Sequence, residues 1–121
     1  MERYKLTAME TKFAEIIWAR EPIPSGKLVK LCAAELCWKK STTYTMLKRL
    51  ENKGVFENRG GVVFSLLKKD DFYAKQSKRY VEETFAGSLP KFLAAFTKGK
   101  KFSEREIDEL QQLIDAHREE E

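Results

Sequence analysis

Between Lys40 and Lys53 lies a segment whose polar residues recur at helical spacing. Taking Leu47 as core-facing and stepping about 100° per residue puts Thr43 and Leu50 within about 60° of it, on a buried stripe. Ser41, Thr45, Lys48, Arg49 and Asn52 fall on the far side, with Thr42 and Lys53 beside them, and Lys40 opens the segment. Hydroxyls, an amide and cations on one helix face suit a DNA major groove. Hydroxyls serve base edges or phosphates, and Arg and Lys favour guanine or phosphate. The helix N-terminus adds partial positive charge beside the backbone. Any solvated helix also displays a polar face, so the neighbouring elements must decide between the two readings.

Other chemistries find little support. His117 is the single histidine, set beside Arg118 and close to the terminal glutamates. Such a residue is more often solvated than a general base. No metal-ligand spacing, nucleophile triad or phosphate loop occurs. The chain therefore reads as a non-enzyme with no cofactor and no metal. Cys32 and Cys37 stand five apart, a spacing that does not place them side by side on a helix. Both read as buried small hydrophobes rather than a disulfide. No run approaches the ~18 apolar residues of a membrane span. The first ten residues lack the apolar stretch of a secretory signal. The expectation is a cytoplasmic protein without membrane insertion.

The elements that would position the polar face follow from caps and breakers. Thr7 and Glu10 have capping-box spacing, followed by an apolar stripe at Met9, Phe13, Ile16 and Ile17. Pro22 and Pro24 end this first helix. Ser25 is the expected cap of a second helix, with Leu28, Leu31, Cys32 and Leu36 as its buried stripe. The third helix runs to Lys53, with Gly54 placed for a left-handed stop. Val55 to Asn58 and Val62 to Leu66 read as two strands around the Arg59-Gly60-Gly61 turn. Three helices and a hairpin, with a short second connection, is the winged helix-turn-helix order. In that frame the third helix is the reading element, and Arg59 becomes a wing cation near a phosphate or the minor groove.

Beyond the hairpin, Asp70 is the expected cap of a fourth helix, broken at Gly87-Ser88. Leu89 to Phe96 forms a short apolar helix. Ser103 and Glu106 make a second capping box before a last helix. Charge divides along the same line. Residues 1–69 hold 14 Lys+Arg against 7 Asp+Glu, a net of +7, and residues 70–121 hold 9 against 12, a net of −3. A basic first half and an acidic second half imply a nucleic-acid-binding domain over 1–69 joined to a different unit over 70–121.

Several segments carry a family resemblance. They are Leu6-Thr7 with Glu10, Ile17-Trp18, Trp38, the run Ser41 to Leu50, Lys53-Gly54, Gly87-Ser88-Leu89, and Ser103 to Leu110. Together they resemble the penicillinase repressor and methicillin-resistance regulator family, which includes copper-responsive repressors. The resemblance implies a mostly α protein with a small β-hairpin: an N-terminal winged helix that binds double-stranded operator DNA and C-terminal helices that pair two chains. Phe85, Leu89, Phe92, Leu93, Phe96, Ile107, Leu110 and Ile114 agree with the second part. They are too many for three short helices to hide within one chain.

A symmetric dimer would read an inverted repeat and block a promoter. The resemblance also implies an upstream sensor protease as partner, whose action leads to cleavage of the repressor. The family's scissile Asn-Phe bond aligns with Ala95-Phe96, where Phe is kept and Asn is not. The copper branch has a C-terminal cysteine cluster, and this chain has no cysteine after Cys37. The family usually has Ser where this chain has Lys39, so Ser41 is expected to cap the third helix instead. The hairpin is short for the family. The rival reading is a winged-helix module used for protein–protein contact without specific DNA reading.

Overall fold

The computed structural model describes residues 5–119. In chain order they form α1 (Ala8–Arg20), β1 (Ile23–Pro24), α2 (Ser25–Leu36), α3 (Lys40–Asn52), β2 (Phe56–Arg59), β3 (Val62–Ser65), α4 (Lys69–Phe85), α5 (Leu89–Phe96) and α6 (Glu104–Ala116). The expected mostly helical winged-helix order, followed by C-terminal helices, is present. Two compact units divide the chain, Met1–Tyr80 and Val81–Glu121. The division falls inside α4, whose Phe72 is fully buried with the winged-helix core.

In the first unit, the Thr7 hydroxyl accepts the Glu10 N–H at 3.1 Å and Glu10 Oε1 accepts the Thr7 N–H at 2.8 Å. These bonds satisfy two free donors at the start of α1. Phe13, Ile16 and Ile17 are buried, but Met9 is 44% exposed, so the stripe does not include it. Glu10 points inward instead, at 2% exposure, because the Lys53 ammonium from the end of α3 meets it at 2.8 Å.

Pro22 and Pro24 do stop α1, yet Ile23 and Pro24 also pair antiparallel with Val63 and Val62, giving a three-stranded sheet of order β1-β3-β2. A two-residue strand flanked by prolines carries no alternation to detect. Proline is tolerated there because β1 lies at the sheet edge.

Several caps differ from expectation. Pro24, not Ser25, occupies the N-cap of α2, and Ser25 is its first helical residue. The Ser25 N–H is taken by the Gly61 carbonyl at 2.8 Å and its hydroxyl by Tyr44 at 3.1 Å. Cys32 is buried, whereas Cys37 is exposed. Cys37 forms the left-handed stop of α2, φ 56°, with its N–H on the Cys32 carbonyl. Lys39 takes the N-cap of α3 with no side-chain bond, so Ser41 does not cap and does not shorten the helix. Lys53 is the C-cap rather than the last helical residue, and Gly54 follows at φ 79°. α4 begins at Lys69, which places Asp70 in the first turn.

The hairpin pairs Phe56 with Ser65 and Arg59 with Val62, joined by Gly60 and Gly61 at φ 61° and 86°. Two consecutive positive φ values are what a two-residue hairpin turn needs and what glycine supplies. Behind the sheet and helices sits one core: Phe13, Ile17, Leu28, Leu47, Leu50, Val55, Phe56, Val63 and Phe72 are each at most 1% exposed. Trp18 ties it together, with ring centroids 5.5 Å from Phe56 and 5.3 Å from Phe72, and its indole N–H on the Leu67 carbonyl at 3.1 Å.

In the second unit, Ala86 and Gly87, both at positive φ, end α4. Ser88 caps α5 by accepting the Lys91 N–H at 3.2 Å. The Ser103–Glu106 capping box forms as expected. No residue of α5 or α6 is buried.

Candidate nucleic-acid interface

α3 exposes one continuous polar face. Ser41, Thr45, Lys48, Arg49 and Asn52 are exposed on it, and Lys40 is exposed at its start. Thr42 is half-buried at the margin. The opposite side is tied down: Thr43, Met46, Leu47 and Leu50 are buried. Thr45, Lys48, Arg49 and Asn52 line a shallow open depression of about 480 Å³ with Tyr44 as a further wall. Lys40, Lys48 and Arg49 have no acidic partner among the described residues. Their charge therefore faces outward un-neutralised.

Two residues of this helix behave differently from a simple wheel. Lys53 does not join the outer face; its ammonium binds Glu10 at 2.8 Å and the Lys5 carbonyl at 2.9 Å. Burial by itself raises the Glu10 carboxyl, but the Lys53 and Thr7 hydrogen bonds outweigh it and hold the group below its ordinary value. Tyr44 was not among the expected site residues. It lines the same depression as Thr45, Lys48, Arg49 and Asn52 while its hydroxyl reaches Ser25 on α2. Its place next to Thr45 was visible in the sequence, but the partner 19 residues earlier was not.

The wing is braced from within. Arg59 Nε meets Glu57 Oε2 at 2.7 Å, and the guanidinium lies 5.4 Å from the centroid of the Phe64 ring. Its side chain is still 73% exposed, so it can serve a phosphate while held in orientation. The base of the wing is anchored by Glu21, which accepts the Ser65 N–H and hydroxyl, each at 2.7 Å, with Lys68 at 3.4 Å. Burial raises this carboxyl, and the Ser65 and Lys68 contacts hold it below its ordinary value. The Tyr73 hydroxyl donates to Glu15 at 2.5 Å, fixing the start of α4 to α1, and this bond and burial push the phenol up to about 12.

The second unit carries the other expected surface. Phe85, Phe92, Leu93 and Leu110 are half-buried. Leu89, Phe96, Ile107 and Ile114 are 46–51% exposed. Phe92 sits 5.6 Å from Phe85 and 5.9 Å from Phe96. Phe92, Leu93, Phe96, Leu110 and Leu113 share a groove of about 370 Å³, with Lys100 at 4.8 Å over the Phe96 ring. Ile107 and Ile114 do not line that groove.

Among the described residues no group of three or more His, Cys, Asp or Glu side chains is placed to hold a metal. No described helix is long and apolar enough to cross a membrane.

Known proteins match over the same span. The model of the Penicillinase repressor family matches residues 6–116. A "Penicillinase repressor" of Bacillus licheniformis is 25% identical over 118 residues, covering 94% of this chain and 92% of that protein. A "Penicillinase repressor" of Staphylococcus aureus is 20% identical over 117 residues, covering 93% of each. The chain belongs to the penicillinase repressor family and is a transcriptional regulator, not an enzyme.

Proposed function

We propose that this chain is a repressor that binds an inverted-repeat operator in double-stranded DNA as a homodimer. The observation that carries the reading is the outer face of α3. It presents Ser41, Thr45, Lys48, Arg49 and Asn52 outward with unneutralised cations, beside a braced wing that carries Arg59. Arg49 and Lys48 suit guanine edges or phosphates, Asn52 suits adenine, and the hydroxyls of Ser41, Thr42 and Thr45 suit bases or backbone. Lys40 and Arg59 serve phosphates at either side.

Dimerisation through the second unit gives the half-exposed Leu89, Phe96, Ile107 and Ile114 a partner. A two-fold dimer then reads equivalent points about one or two helical turns apart. Occupancy of a promoter by such a dimer excludes polymerase. The function places the protein with the chromosome, in the cytoplasm.

Release through an upstream sensor protease belongs to the same reading. The bond corresponding to the family's cleavage point, Ala95–Phe96, lies in the last turn of α5, which Thr97 closes with its N–H and hydroxyl on the Leu93 carbonyl at 2.9 and 2.7 Å. Cleavage there requires that turn to unwind.

Selection of bound duplexes from a random DNA pool tests the proposal. The expected product is a single inverted-repeat motif, bound with strong salt dependence. Enrichment of no motif, with binding uniform across sequences, would favour the protein-contact module.

A further inference from the structure

Ser25 joins three elements of the winged helix at one point. Its hydroxyl accepts the Tyr44 O–H at 3.1 Å, linking α2 to α3. Its N–H donates to the Gly61 carbonyl at 2.8 Å, linking α2 to the hairpin turn. Gly61 lies two residues from Arg59, whose guanidinium is oriented by Glu57 and Phe64. Tyr44 in turn walls the depression formed by Thr45, Lys48, Arg49 and Asn52. Two hydrogen bonds through a single residue thus connect the outer face of α3 with the tip of the wing.

We infer that Tyr44 and Ser25 are positioning residues that couple the wing to the reading helix, so that Arg59 and the α3 face engage DNA as one unit. The inference rests on the DNA-reading proposal above. Its physical basis is register. The wing turn contains two glycines with open space around them, Gly60 and Gly61, and so little side-chain packing of its own fixes the tip. The Ser25 N–H is a backbone donor at the first turn of α2, a rigid base. The Tyr44 hydroxyl sets where that base sits against α3. Without the tyrosine–serine bond the helix face persists, because Thr43, Met46, Leu47 and Leu50 still pack, and the β1–β3 pairing still holds the wing beside α2, but the side-chain bond that sets α2 and the wing against α3 at this point is lost.

A double-mutant cycle on the full chain tests this, using the operator recovered by selection. Arg59→Ala is measured in the unmodified protein, in Tyr44→Phe and in Ser25→Ala, with thermal midpoints recorded for each. Tyr44→Phe keeps the ring and removes the hydroxyl. Ser25→Ala attacks the same bond from the other side and keeps the backbone N–H. The coupled account expects the Arg59→Ala loss to shrink by about threefold or more in both backgrounds. It also expects Ser25→Thr, which restores a hydroxyl, to recover the unmodified behaviour. If the effects multiply independently in both backgrounds while the unmodified chain binds its operator, the coupling is overturned and the DNA reading stands. Lower thermal midpoints with an unchanged Arg59 effect would overturn it too, as a purely structural bond. If the unmodified chain shows no sequence preference, the DNA reading and the coupling both fall.

Discussion

The two units hide their apolar residues to very different degrees. In Met1–Tyr80 nine large apolar side chains are at most 1% exposed, from Phe13 on α1 to Phe72 on α4. In Val81–Glu121, α5 and α6 bury none, and Leu89, Phe96, Ile107, Leu113 and Ile114 are 46–59% exposed. Both units contain helices with side-chain N-caps, α1 in the first and α5 and α6 in the second, so the contrast is not one of local structure. Helix signals such as the Ser103–Glu106 box specify that a helix forms, not what covers it. The first unit closes its own core and spends its free surface on cations. The second leaves an apolar surface that, on the proposed reading, a second copy covers.

Removing residues 86–121 breaks the comparison most severely. The remaining winged helix should fold and still carry the α3 face, but lose the avidity of two linked half-sites. Operator affinity by gel shift is expected to fall by about 10²–10⁴-fold. An unchanged affinity would mean that one winged helix suffices.

Within the units, matched phenylalanine truncations sharpen the contrast. Phe72→Ala opens a cavity beside Trp18 and should cost about 3–5 kcal/mol, read by chemical denaturation. Phe96→Ala should cost far less in dilute protein and more as concentration rises, since a partner-covered residue stabilises by mass action. Equal, concentration-independent losses would remove the distinction.

On the proposed reading face, Arg49→Ala should weaken the selected operator by about 1–3 kcal/mol if the guanidinium pairs with a guanine. An equal loss on every sequence, with a shallower salt slope, would mark it as a phosphate contact instead.

The smallest effect concerns acid. Glu10 and Glu21 lie below their ordinary value of 4.5 when folded. As pH falls the unfolded chain takes up protons first. Their stabilisation is therefore complete above that ordinary value and is lost as pH falls through the depressed folded values. Glu10→Gln should lower stability near neutral pH by about 1.5–3 kcal/mol, the scale of a hydrogen bond to a charged group. It should also flatten the decline of the thermal midpoint in acid. A decline as steep as in the unmodified chain would show that Glu10 takes no part in it.

Local signals in the sequence foretold local structure well. Both capping boxes, the Gly54 stop, the Gly60-Gly61 turn and the α5 bounds depend on residues a few positions apart. What escaped was set by distant partners. Ile23–Pro24 becomes a strand only because β3 lies beside it. Glu10 turns inward, and Met9 outward, because Lys53 arrives from 43 residues away. The same bond withdraws Lys53 from the outer face of α3. Ser25 loses its expected capping role to the Gly61 carbonyl and the Tyr44 hydroxyl, neither of which its own neighbourhood announces. Cys37 is exposed because a helix must stop there before Trp38 packs on Phe13, at 5.2 Å. The outward placement of Ser41, Thr45, Lys48, Arg49 and Asn52 on α3 was legible because a helix wheel fixes direction once the core side is known.

Sedimentation equilibrium tests the contrast between the units most directly. At micromolar concentration the full chain should sediment at twice its 14.1 kDa mass, and a fragment ending at Phe85 as a folded monomer. A full chain that stays monomeric, or a fragment that still pairs, would contradict the assignment of dimerisation to the second unit.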